Sequence, residues 1–211
     1  MNLVNELQVS AESDDVLTVL RKARRLASKL GVPDIDDWLK AEQNGYESHQ
    51  AIPKYRIVRC SLVYETNGPI PAGFGRLRSG IFDYPGGHTT DRPMVDSMGG
   101  ILTTIEIITS GQRSLFMPLM GDTTAIRSAF DPYIAHQLTF MLRLSTAEIR
   151  AIPEAVKDKI LDWACELERR GVLGDDMTFN EKERALAHTI TFNLSNCSIE
   201  QLTNSGTNTK R

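Results

Sequence analysis

The densest run of chemically capable side chains lies between Glu42 and Arg56: Glu42, Asn44, Tyr46, Tyr55 and Arg56. A carboxylate, an amide, two phenols and a guanidinium at this spacing either bind a polar ligand together or satisfy one another. Gly45 stands where a helix would end, its last turn carrying Glu42 and Asn44, and Pro53 precedes the returning chain. That return is expected to bring Arg56 beside Glu42, where a guanidinium fork on a carboxylate would lock the corner. Trp38, Tyr46 and Tyr55 would form an aromatic cluster pinned by the pair. Two readings follow: a structural pin, or a contribution of this group to a pocket or a partner surface.

Other chemistry finds less support. His49, His88, His136 and His188 are far apart, with no HExxH, HxxxH or Cys–His spacing, so no metal site and no cofactor is expected. His88 and Asp91 flank two threonines in a glycine-rich stretch and are considered as an acid/base pair. No serine sits in a G-x-S-x-G elbow. Gly73–Gly80 combines glycines and arginines that suit a phosphate cradle, but it lacks the order of a P-loop or a dinucleotide fingerprint. The chain contains no E-x-K triplet, which removes one common metal-dependent nuclease pattern. No catalytic residue is assigned.

The elements that would position these groups are legible in places. The 211 residues suit one domain, and a 41% hydrophobic fraction is enough for a core. A formal charge of −3 argues against nucleic-acid binding as the main activity. Cys60, Cys165 and Cys197 are odd in number and widely spaced, so reduced, buried thiols are expected. The N-terminus has no signal-peptide pattern and no apolar stretch approaches a membrane span, so the chain is expected to be cytoplasmic.

Val16, Leu17, Leu20, Ala23, Ala27 and Leu30 recur at helical spacing, which predicts a helix over 14–30 capped by Ser13 and closed by Gly31. Its other face carries Arg21, Lys22, Arg24, Arg25 and Lys29, a surface for nucleic acid or an acidic partner if it is more than a solvated face. A second helix is expected from Pro33 to Asn44, completing an N-terminal hairpin. Tyr55–Glu65 alternates as a strand. Glycine and proline punctuate 67–100. Helical spacing is preferred for Ile101–Ile108, and His136–Leu144 alternates cleanly. A long helix is expected to open at Pro153 and close near Arg170, then a short one after a capping box spanning Thr178–Glu181. The fold class is therefore α+β: a helical hairpin, an irregular Gly/Pro-rich β region, and C-terminal helices on a small, mostly antiparallel sheet. Residues 1–188 are assigned to this domain. The tail, 189–211, has twelve Asn, Ser or Thr among 23 residues. With Ile190, Phe192 and Leu194 alternating, it reads as frayed or as a strand seeking a neighbour's sheet edge.

The hairpin over 17–30, the segment Trp38-Leu-Lys-Ala-Glu-Gln-Asn-Gly-Tyr46, Pro53-Lys-Tyr-Arg56, the helix Val156–Glu168, Gly174, the Thr178–Glu181 box and the polar tail together resemble the AbiTii domain of bacterial abortive-infection proteins. The resemblance implies a part in antiphage defence, as a toxic or sensing component, and supplies no reaction. The expectation is a defence effector or adaptor that binds protein partners and self-associates. The alternatives are a nuclease or nucleotide hydrolase with a dispersed site, and a nucleic-acid binder using the basic helix face.

Overall fold

The computed structural model describes residues 2–47, 52–66, 80–94, 100–174 and 178–190. The chain is α+β. It begins with α1 (Leu3–Ser13), α2 (Val16–Leu30) and α3 (Pro33–Asn44). Asn2 caps α1, accepting the Asn5 N–H at 2.7 Å, and Leu3, Val4, Leu7 and Ala11 form its buried stripe. Ser13 is thus the last residue of α1 rather than the cap of α2. That cap is Asp15, whose carboxylate takes the amides of Leu17 and Thr18. A carboxylate there also meets the positive end of the helix dipole. Gly31, at φ +72°, closes α2 in the left-handed region.

A turn at Lys54–Arg56 leads into β1 (Ile57–Thr66), so Tyr55 and Arg56 sit in the turn and not in the predicted strand. β2 (Gly80–Asp83) and β3 (Thr89–Pro93) run end to end along one side of β1. Leu62 accepts from the Tyr84 amide and donates to the His88 carbonyl. Residues 85–87 therefore loop out of one interrupted strand, with Gly86 and Gly87 at positive φ turning the bulge. α4 (Ile101–Thr109) agrees with the helical reading of Ile101–Ile108.

Next come β4 (Ser114–Pro118), α5 (Thr124–Arg127), α6 (Pro132–Ala135) and β5 (Leu138–Ser145). The sheet order is β2-β1-β5-β4, with β3 also on β1 and every pairing antiparallel. Leu138, Phe140, Leu142 and Leu144 are buried, as their alternation requires.

α7 runs from Thr146 to Arg169. Pro153 does not open it but sits inside, two turns on. Ser145 caps the helix, and burial of Ile149, Ile152 and Val156 carries it past the carbonyl that the proline leaves without its donor. α8 (Glu181–His188) is capped by Asn180 with Glu183, not by Thr178 with Glu181; the box exists two residues further on. Among the described residues no helix is long and apolar enough to cross a membrane.

α7 is the spine. It packs on α1, α2, α4, the 54–56 turn and the sheet; Glu148, near its start, takes the Arg59 amide of β1, and Glu168, near its end, takes Gln8 of α1. The Leu3 and Val4 amides reach the carbonyls of Gly174 and Leu173, so α1 starts where α7 ends. One apolar core joins the helices to one face of the sheet. The predicted phosphate cradle and the tail beyond Ile190 lie outside the described residues, apart from Gly80.

Candidate functional site

The corner between α3 and β1 is built by sequence-local devices. Proline at the first turn and Asp34 and Asp36 start α3, while Gly45, at φ +99°, stops it and turns the chain outward. Glu42 lies on the same buried face as Ile35, Trp38 and Leu39, so its carboxylate enters the protein. The turn after Pro53 then delivers Tyr55 and Arg56 to it.

Glu42 and Arg56 are both 0% exposed. One carboxylate oxygen of Glu42 accepts the hydroxyls of Tyr46 and of Tyr55, the latter at 2.5 Å. The other accepts Arg56 Nε at 3.0 Å and Nη2. Nη2 also reaches the Glu42 carbonyl at 3.3 Å. Trp38 Nε1 donates to the Tyr55 oxygen at 3.1 Å, and the guanidinium lies 5.5 Å from the Tyr46 ring centre. Burial, and then the Glu42 carboxylate, push the phenols of Tyr46 and Tyr55 far above the ordinary tyrosine range.

Four donors thus fill the four lone-pair positions of one carboxylate. The arrangement clamps the end of α3 to the start of β1 and leaves Glu42 no vacant acceptor for a proton or a metal. Of the five residues singled out in sequence, four come together, and Asn44 is exposed on the solvent side of the corner. Trp38, read as an aromatic wall, also supplies a donor; its spacing from Tyr55 was visible, its bond was not.

The basic face of α2 is divided. Lys22 turns to Asp14 at 3.0 Å and to Glu6 at 3.9 Å. Arg24 bonds Gln43 at 2.9 Å and lies 3.6 Å from Asp36. Arg21 and Arg25 are exposed and Lys29 is half-buried. Lys22, Arg25 and Lys29 border a shallow depression floored by Leu3, Leu7 and Leu26, with Glu6 opposite.

His88 is exposed and edge-on to Tyr84 at 5.0 Å. Asp91 lies 3.8 Å from Arg59 on β1, so the two do not make the considered pair. His49 lies outside the described residues. Among those described, no group of three or more His, Cys, Asp or Glu is placed to hold a metal. Cys60 is buried, which pushes its thiol up to about 11. Cys165 is exposed on α7, contrary to expectation, because it falls off the stripe of Ile160, Trp163, Ala164 and Leu167; Cys197 is outside the described residues.

The reading of the sequence missed the 101–120 segment as a surface. Leu102 is 54%, Phe116 42% and Met120 79% exposed. No charged residue occurs between Arg113 and Asp122. The absence of charge was the signal that pointed there.

A family model described as AbiTii matches residues 2–192. No curated protein and no solved structure matches the chain.

Proposed function

The chain belongs to the AbiTii family, whose name points to abortive infection, and on that premise we propose that it is a cytoplasmic antiphage effector or adaptor that works by binding protein partners and by self-association. The observation that carries this reading is the exposure of Phe116 and Met120 within 114–121, a stretch without charge. Apolar surface of this kind is costly in water and is commonly covered by another protein. The most organised polar cluster supports the same reading from the other side. Glu42 is closed on its own neighbours, so the group suited to general acid/base work is occupied in holding the corner.

The test is protection of a bacterial host under phage challenge, with static light scattering of the purified chain in parallel. Substitution of Phe116 and Met120 by lysine is expected to abolish protection and lower the scattering mass while leaving the melting transition in place. Full protection by that folded variant would refute the reading. The competing nucleic-acid reading predicts DNA or RNA retention that falls steeply with salt and is lost on changing Arg21 and Arg25 to glutamate.

A further inference from the structure

β4 is an edge strand lacking most of the protection that edges carry. Among the described residues only β5 pairs with it. At the ends of that ladder, Thr146 donates to the Arg113 carbonyl and Leu119 to the Phe140 carbonyl. By alternation Leu115 and Met117 bond β5, while Ser114, Phe116 and Pro118 direct their backbone groups outward. Exposed edges are normally guarded by charges, bulges or proline. Within Ser114–Pro118 the guard of this kind is Pro118, at the far end.

The chain carries a segment of matching character. Residues 189–199 (Thr-Ile-Thr-Phe-Asn-Leu-Ser-Asn-Cys-Ser-Ile) hold no charge, and Phe192 and Leu194 alternate. Where this segment starts decides which β4 it can meet. Thr146, at the first turn of α7, is bonded to Arg113 beside β4. At the other end of α7, Glu183 of α8 takes the amides of Leu173 and Gly174, and the ring of His188 lies by Gly31. The 24 residues of α7 span about 36 Å. An extended chain advances about 3.3 Å per residue, so the return to its own β4 would consume about eleven residues. Phe192 and Leu194 would by then be passed.

We propose that residues 191–199 of one copy add as a strand to the β4 edge of a second copy, an inference that rests on the self-association reading and names its contact. The partner is another molecule of this chain, held by backbone hydrogen bonds from Ser114 and Phe116 and by apolar contact with Phe116.

Light scattering on full-length variants tests it. Phe116→Pro removes an outward N–H without taking a bond from β5, and Asn193→Pro disables the tail strand. Each alone is expected to lose the associated mass seen for the wild type. Mixed in equal amounts, they are expected to form a dimer and nothing larger, because one supplies an intact tail and the other an intact edge. Phe116→Lys keeps the N–H, adds a guarding charge and decides the matter should the proline variant fail to fold. A wild-type chain that stays monomeric at every concentration overturns the self-association reading together with this contact. Association that persists in both folded Phe116 variants overturns the β4 assignment alone, as does loss on changing Asn193 but not Phe116, which would place the tail elsewhere.

Discussion

Glu42 accepts from two phenols and from two nitrogens of one guanidinium while fully shielded from water. The consequence of removing a partner is therefore dominated by the group left behind. Arg56→Ala is expected to cost about 3–5 kcal/mol, the usual result of stranding a buried carboxylate. In the double variant Glu42→Gln, Arg56→Met the loss should be smaller than the sum of the single losses. Urea denaturation of the wild type, Arg56→Ala, the single variants Glu42→Gln and Arg56→Met, and the double variant measures both. The phenols give a second check. Their folded pKa lies above the unfolded value of 10.0, so the stability they lend is complete below that value and is lost as pH rises toward the folded one. Absorbance at 295 nm should show Tyr46 and Tyr55 resisting ionisation until the protein unfolds in alkali. Titration of all five tyrosines near pH 10 in folded protein would contradict the cluster. The residue types of this site were legible in sequence. Their mutual saturation was not, because it depends on the turn at 54–56 placing Tyr55 and Arg56 together.

Elements are specified here chiefly by their ends. Asn180 and Glu183 cap α8 reciprocally, and Glu183 also takes the Leu173 and Gly174 amides. Asn180→Ala should cost about 1 kcal/mol, read from the midpoint of thermal or urea unfolding. Burial pulls the Glu183 carboxyl up, but the amides of Gly174, Asn180 and Leu173 outweigh it and hold the group below its ordinary 4.5. With the folded pKa depressed, its contribution is present above 4.5 and fades as pH falls through the folded value. Glu183→Gln should flatten the acid side of the stability curve. Gly174 is fixed by the same junction: at φ +74° an added Cβ would lie 2.6 Å from the Phe179 ring. Gly174→Ala is expected to lose more than about 1 kcal/mol. In α3, and in α2 apart from its cap, stripe and stop signals coincide at Gly45 and Gly31, and α4 agrees with its predicted span although Leu102 of its stripe is exposed. α1 carries a stripe at Leu3, Val4, Leu7 and Ala11 with Asn2 ahead of it, but no glycine or proline marks its end, and Ser13 reads locally as the start of the next helix. Pro153 misled because a proline in mid-helix reads locally as a start.

At the scale of the molecule, α7 separates two ends with different tasks. Helices α1, α2 and α8 gather at its C-terminal end, and the sheet with its open β4 edge stands at the other. A chain ending at Ile190, the last described residue of the core, is expected to melt at the same temperature as the full chain, since 191–211 is rich in Asn, Ser and Thr. It should nevertheless lose both the associated mass and protection against phage. Melting at a markedly lower temperature would instead make residues 191–211 part of the folded core.

The sequence by itself determined the α+β class, the stripes of α2 and α3 with their closing glycines Gly31 and Gly45, the buried face of β5 and the family, because periodicity and turn residues act over a few positions. Which charges would face water was decided only in three dimensions. The Glu42–Arg56 pair was legible but the closing of its carboxylate by Tyr46 and Tyr55 was not, Lys22 and Arg24 were drawn onto nearby carboxylates, and Phe116 was left at an open edge. Burial and strand pairing join residues far apart along the chain, and no local pattern records them.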